Sequence, residues 1–277
     1  LAGVRHLIWD NALMLEAMAG PDGLDPRQSG APGERYTEAL ALGVAGLRIG
    51  LVREGFGRPG SEPEVDSAVR AAAERLAGAG ARVAEVSLPL HALGQAIWTP
   101  IFLEGATALM MRENAYGTNI KGVFLESLLD AHARWHDRAD ELSDTLKLGI
   151  LTGHYMAAQH RGRFYGKAQN LNRALTAAYD AALEEHDLLL MPTTPMAATR
   201  LPPADAPREE VVARAFEMIA NTSPTCATGH PALSLPAGRT ADGRPIGAML
   251  VGPRLGERVI YRAAAALERL LAPLNRR

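Results

Sequence analysis

The chain has 277 residues, of which 47% are apolar and 22% are charged, and its formal net charge is −2. This balance is typical of a globular protein with a substantial core, and its interspersed charges exclude an extended nucleic-acid-binding surface. No apolar run reaches the ~18 residues that a membrane-spanning helix requires. We therefore expect neither a nucleic-acid partner nor a membrane partner, and the single cysteine fits a reducing, cytoplasmic compartment.

The first predicted element is a helix over residues 10–19, because its apolar positions have helical spacing. Asp10 is the expected N-cap and Gly20 the expected stop. The chain enters this helix without an initiator methionine or a signal peptide, so we expect that an upstream segment has been left out.

A βαβ unit is predicted next. A buried strand at 47–54 and a second strand at 82–89 flank an amphipathic helix at 62–80. This order predicts a parallel strand pair with a right-handed crossover.

The remaining chain is predicted to be helical in its middle and mixed at its end. Residues 91–186 have helical periodicity, with breaks expected near Pro100, 117–122 and 149–153. The later elements are a strand at 187–195, a helix at 208–220, strands in "ALSLPAG" and "RPIGAMLVG", and a closing helix at 256–271. The fold class is therefore α/β, a mixed sheet wrapped by helices with a helical insertion.

The segment "GFGRPG" at residues 55–60 matches the dinucleotide-binding pattern G-x-G-x-x-G and follows a strand. In that motif the helix begins within the glycines. Here Ser61 and Glu64 form an expected capping box and Pro63 fits the first turn, so the helix should begin after Gly60. The spacing therefore argues against nucleotide binding, and we expect no cofactor.

Two histidines, His132 and His136, lie four residues apart on a predicted helix and could face one metal ion. The general-base glutamate of the metalloprotease motif is absent between them. A solvated helix face explains the pair equally well, so no metal is expected.

The segment "CATGHPALSLPAG" contains Cys226, His230 and Ser234. A cysteine nucleophile needs a base within hydrogen-bond reach, and nothing in the Gly-His-Pro turn aims the His230 ring at Cys226. Ser234 lacks the strand-to-helix elbow of a G-x-S-x-G serine and alternates with Leu233 and Leu235. We expect a buried structural thiol and a structural serine, and hence no catalytic residue here.

Four segments together resemble the amidase signature family. They are "HDLLLMPTTPMAA", "MIANTSPTCATGHPALSLPAG", "DGRPIGAMLVGP" and "ERVIYRAAAALER", and the earlier "DNALMLEAMAGPDGLDP" and "LRIGLVREGFG" resemble the region after that family's catalytic core. The resemblance implies hydrolysis of a small carboxamide to a carboxylic acid and ammonia. It also implies a serine nucleophile, a second serine in a cis peptide and a lysine base.

No glycine- and serine-rich segment of that kind occurs in this sequence. The lysines Lys121, Lys147 and Lys167 lie in the helical region rather than after a strand. We therefore interpret residues 1–277 as the C-terminal portion of one amidase domain, with a helical insertion at 90–186. The expected partners are an amide substrate and the N-terminal catalytic half that is missing here, and a homodimer is compatible with the sequence.

The resemblance places three residues at the substrate: Trp98, Ile219 and Asn221. From the sequence alone Trp98 could equally be a core tryptophan, whereas the resemblance makes it a wall of the acyl pocket. Because Trp98 and Ile219 are apolar, an aryl or branched aliphatic amide is expected. The alternative is a non-catalytic binding or interaction protein on an amidase scaffold.

Overall fold

The computed structural model describes residues 7–25, 28, 30, 32–117 and 121–275. The described part contains a five-stranded mixed sheet of order β2-β1-β3-β5-β4. The strands are β1 (Arg48–Val52), β2 (Arg82–Val86), β3 (Leu188–Pro192), β4 (Ala232–Arg239) and β5 (Pro245–Val251).

Nine α-helices accompany the sheet in the described residues. They are α1 (Leu7–Met18), α2 (Pro63–Gly78), α3 (Gly94–Ala106), α4 (Glu126–Ala133), α5 (Asp144–His160), α6 (Arg163–Glu185), α7 (Arg208–Phe216), α8 (Ser223–Thr228) and α9 (Glu257–Asn275). Short 3₁₀ turns follow β1 (Arg53–Gly55) and precede α3 (Pro89–Leu93).

The sheet has a parallel half and an antiparallel half. Strand β1 pairs in parallel with β2 and with β3, whereas β5 pairs antiparallel with β3 and with β4. The sequence prediction of a parallel βαβ unit is confirmed. Because β1, β2 and β3 run in one direction, their carboxyl ends meet at one edge of the sheet, which is where open α/β sheets bind ligands.

The core forms around β3, whose five residues Leu188–Pro192 are all buried. A short apolar run that is buried on both faces is typical of a central strand. Helices α2 and α9 pack against the sheet, and α3, α5, α6 and α8 form a helical layer through contacts with one another. The fold class expected from the sequence, a mixed sheet with a helical insertion, is therefore confirmed.

Several local predictions differ from the structure. Helix α1 begins at Leu7, so Asp10 lies inside its first turn and is not the N-cap. Helix α2 does begin after Gly60, but the expected capping box is wrong. Glu62 is the N-cap without a side-chain bond, and the Glu64 carboxylate accepts from the backbone N–H of Ala241.

The predicted breaks at Pro100 and at 149–153 are also wrong, because α3 and α5 continue through them. Gly153 is required by packing. A Cβ there would lie 2.2 Å from the carbonyl oxygen of Leu103. The segment after Asn221, for which no helix was predicted, contains the helix α8. Tertiary contacts decide these points, and local propensity is overridden.

In the part of the chain that the structure describes, no helix combines the length and the apolar character needed to cross a bilayer.

Candidate functional site

Asn221 connects the carboxyl ends of two parallel strands. Its Nδ2 donates to the carbonyl oxygen of Pro192 at the end of β3 (2.8 Å) and to that of Gly55 after β1 (2.9 Å). The side chain is fully buried. Asn221 therefore fixes the chain after α7 against the edge of the sheet where a ligand site is expected.

The same asparagine determines the protonation of a buried histidine. Because both amide hydrogens of Asn221 are donated to carbonyls, its Oδ1 must accept from His91 Nε2, at 3.1 Å. The Nδ1 of His91 then accepts from the hydroxyl of Tyr179, at 2.7 Å. His91, Tyr179 and Asn221 thus form one satisfied polar network, which we call the His91 network.

Burial sets the charge state of this network. Desolvation lowers the pKa of His91 to about 4, and the positive charge of Arg58 acts in the same direction, against the hydrogen bond to Asn221. Burial also raises the pKa of Tyr179. Both side chains are therefore neutral at pH 7, and the His91 network holds the strand ends without a buried charge.

Trp98 borders an apolar cavity of about 240 Å³, which we call the Trp98 cavity. Its ring stacks on that of Phe102, with centroids 4.5 Å apart and planes 9° apart. The lining residues come from α3, α5 and α7 and are Gln95, Trp98, Thr99, Phe102, Leu103, Leu148, Gly149, Thr152 and Phe216. An apolar cavity of about 150 Å³ is already enough to hold benzene.

The three residues that the sequence predicted at the substrate have different surroundings. Trp98 is partly buried and lines the cavity, whereas Ile219 is partly buried and lies three residues after the lining residue Phe216. The side-chain amide of Asn221 is fully engaged, because its Nδ2 donates to the carbonyl oxygens of Gly55 and Pro192 and its Oδ1 accepts from His91. Of the three, the structure thus places only Trp98 on the cavity wall, and the substrate contacts of all three stay predictions.

Cys226, His230 and Ser234 do not form a catalytic group. Both ring nitrogens of His230 are engaged, with Asp180 Oδ1 (3.1 Å) and Thr228 Oγ1 (2.9 Å), so neither is directed at Cys226. Burial lowers the pKa of His230, and Asp180 opposes the shift.

Cys226 is exposed, so the expectation of a buried thiol is wrong. Ser234 is exposed as the strand alternation predicted, and its hydroxyl pairs with that of Thr193 at 2.6 Å.

The histidine pair of α4 and the following turn does not converge on one point. Nε2 of His132 bonds the carbonyl oxygen of Met110 at 2.7 Å, whereas the ring of His136 stacks on Trp135. Among the described residues there is no group of three or more histidine, cysteine or acidic side chains that could hold a metal ion.

Sequence reasoning missed His91, Tyr179, Phe102 and Phe216. Phe102 had a usable signal, because it follows Trp98 by four residues and shares its helix face. His91 and Tyr179 are 88 residues apart, and only the fold brings them together.

The geometry defines an α/β protein with a neutral polar network at the carboxyl edge of its parallel strands and an apolar cavity between helices α3, α5 and α7. A family model described as Amidase matches residues 5–260. The chain is 38% identical over 270 residues to an enantioselective amidase of Rhodococcus rhodochrous, a match that covers 97% of this chain and 52% of that protein. It is 33% identical over 256 residues to a glutamyl-tRNA(Gln) amidotransferase subunit of Synechococcus sp. (strain RCC307), a match that covers 92% of this chain and 51% of that protein.

Among solved structures, a bacterial aryl acylamidase of the amidase signature family superimposes with a TM-score of 0.71 at 24% identity, covering 95% of this chain and 51% of the other. At this identity the likeness supports the fold alone. The chain belongs to the amidase family, as its motif series predicted. It spans about half the length of the curated relatives that it matches.

Proposed function

We propose that this chain is the C-terminal portion of an amidohydrolase that hydrolyses a small carboxamide to a carboxylic acid and ammonia. Family membership carries this proposal. The sequence contains none of the glycine- and serine-rich signature that the resemblance implies for the nucleophile. In this proposal the serine nucleophile and its lysine belong to an N-terminal half, and this chain contributes scaffold and part of the substrate pocket.

The Trp98 cavity would receive the acyl group. Its walls include the stacked rings of Trp98 and Phe102, and Phe216 of α7 also lines it. Aryl or branched aliphatic acyl groups fit an apolar space of about 240 Å³ better than polar ones, since burying an unpaired polar group is costly.

Ile219 would complete the wall of the pocket after Phe216. Asn221 would act by holding this segment on the strand ends, because its side-chain amide is already occupied. These roles extend the sequence prediction that all three residues belong to the substrate site.

The exposed face of α1 would contact the N-terminal half. Ile8 and Ala12 are buried against the rest of the chain, yet four large apolar side chains of the same helix are at least about half exposed: Trp9, Leu13, Met14 and Met18. A group of large apolar side chains exposed on one helix is typical of an interaction surface. A catalytic half that supplies the other wall of the active site would cover this face.

The test begins with the coding sequence upstream of Leu1, which should encode a glycine- and serine-rich segment and a lysine. The chain alone should release no ammonia from 3-phenylpropionamide. Expression together with the upstream half should restore turnover, and Met14→Lys should reduce co-purification of the two halves.

Turnover by this chain alone would contradict the proposal. So would a combined protein that hydrolyses no carboxamide. A stable monomer that binds no hydrophobic dye would favour the non-catalytic binding protein instead.

A further inference from the structure

The loop 55–60, "GFGRPG", is not used by the proposed function, and it carries Arg58 to the carboxyl edge of the sheet. The backbone N–H of Ser61 donates to the carbonyl oxygen of Arg58 at 2.8 Å, which closes a turn. The N–H of Gly57 donates to Asp66 Oδ2 at 2.9 Å. Gly57 has a φ of +58°, a conformation that favours glycine. The backbone around Arg58 is therefore fixed before any ligand arrives.

The guanidinium of Arg58 is poorly satisfied. Its hydrogen bond in the described part of the chain is a long one, from Nη2 to the carbonyl oxygen of Ala92 at 3.4 Å. The Nε is buried and has no acceptor among the described residues. An arginine presents five N–H donors, so several of them have no protein acceptor among the described residues.

Arg58 also lacks a counter-ion in the described residues, whereas other arginines of this chain have one. Arg48 pairs with Asp187 at 2.7 Å, and Arg244 pairs with Glu62 at 3.2 Å. Burial lowers the pKa of Arg58. Its positive charge is thus not compensated within the described part.

No neighbouring group in the described residues forms an ion pair with Arg58. His91 is neutral, as its hydrogen bonds require, and the carboxylate of Glu54 accepts from the hydroxyl of Ser87 and the N–H of Leu88 rather than from Arg58. Arg58 contacts Ala92, two residues before α3, the helix that carries Trp98. The guanidinium therefore lies near the N-terminal end of the helix that lines the Trp98 cavity.

We propose that Arg58 binds a carboxylate of the substrate through its Nη groups, outside the Trp98 cavity, so that the preferred substrates are carboxamides with a second, acidic group. The substrate assignment rests on the proposed function, whereas the binding of a carboxylate at Arg58 does not. A planar guanidinium suits this ligand, because it can donate two parallel hydrogen bonds to one carboxylate.

Binding of succinamate to the chain tests this proposal, with butyramide as an uncharged amide of similar length. Titrations at pH 7, followed by calorimetry and by the Arg58 Nε–Hε NMR signal, should show saturable binding of succinamate and at least about tenfold weaker binding of butyramide. Arg58→Gln should weaken succinamate binding by about tenfold or more. Arg58→Lys, which keeps the charge without the planar fork, should give an intermediate loss.

Arg75→Gln is the matched control. Arg75 is exposed on α2, twelve residues after Pro63 and hence about 18 Å further along the helix. The Arg75→Gln variant should bind succinamate with a Kd within about twofold of that of the parent chain, since Arg75 lies far from the site. Equal losses in Arg58→Gln and Arg75→Gln would overturn the proposal, because they would indicate bulk attraction of anions.

Failure of the chain to bind succinamate would also overturn it, as would preferential binding of inorganic phosphate at Arg58. Circular dichroism must show that Arg58→Gln is folded, and Arg58→Lys supplies a second comparison. Because the titration needs no turnover, Arg58-dependent binding in a protein without amidase activity would refute the proposed function alone.

Discussion

Nε2 of His91 lies 3.1 Å from Oδ1 of Asn221, and both side chains are completely buried. This bond joins the turn after β2 to the segment that Asn221 holds on β1 and β3. The ends of all three parallel strands are thereby tied together by a single network of neutral side chains.

Breaking this network should destabilise the fold strongly. Asn221→Ala leaves the carbonyl oxygens of Gly55 and Pro192 and the Nε2 of His91 unsatisfied, and each buried unpaired group costs roughly 1–3 kcal/mol. Urea unfolding should show a lower free energy of unfolding. Asn170→Ala, at an exposed position of α6, is the control and should change it by less than about 0.5 kcal/mol. Equal stability of the two variants would refute the structural role of Asn221.

His91 should make stability depend on pH. Its pKa is about 4 in the folded protein against 6.5 for an ordinary histidine, so between these values the unfolded chain binds more protons. The free energy of unfolding should therefore fall as the pH is lowered from 6.5 towards 4, by up to about 1.4 kcal/mol per pH unit from this residue.

Urea midpoints at several pH values measure this slope. His230, whose pKa is also lowered, contributes in the same direction, so the comparison must be between variants. His91→Gln should reduce the slope, and His154→Gln, at an exposed position of α5, should leave it unchanged. An identical slope in His91→Gln and the parent chain would contradict the assignment.

Replacement by alanine of each of two glycines of α5 should change the stability of the protein in opposite directions. At Gly149 a Cβ would lie 3.6 Å from Leu103 Cδ2, an ordinary contact, and the helix should gain about 0.5–1 kcal/mol. At Gly153 a Cβ would lie 2.2 Å from the carbonyl oxygen of Leu103, and the overlap should cost about 1–3 kcal/mol. Thermal unfolding of Gly149→Ala and Gly153→Ala measures both. A destabilised Gly149→Ala with an unaffected Gly153→Ala would contradict the packing of α5 on α3.

Trp98 should determine the binding of aromatic amides. Trp98→Ala removes one wall of the cavity and should weaken the binding of 3-phenylpropionamide by about tenfold, whereas Trp98→Phe, which can still stack on Phe102, should lose less. Calorimetric titration measures the difference. Trp9→Ala, on α1, is the control, and a loss as large as that of Trp98→Ala would show that the cavity is not the site.

The sequence predicted the strands and the family because those signals are local. The run of apolar residues in β3 and the alternation around Ser234 are visible within a few residues. The prediction failed where distant packing decides, as at Gly153, whose backbone approaches α3, and at Cys226, which is exposed although isolated cysteines are usually buried.

The sequence by itself therefore determined the α/β class, the order of the strands along the chain, the family and the candidate Trp98. Only the tertiary structure decided that Asn221 is occupied by His91 and two strand ends, that Phe102 and Phe216 share the cavity of Trp98, and that Arg58 lacks a counter-ion among the described residues. The physical reason is separation along the chain. Hydrogen bonds and ion pairs between residues that are tens to more than a hundred positions apart depend on the register of the sheet and the packing of the helices. No local sequence pattern contains that information.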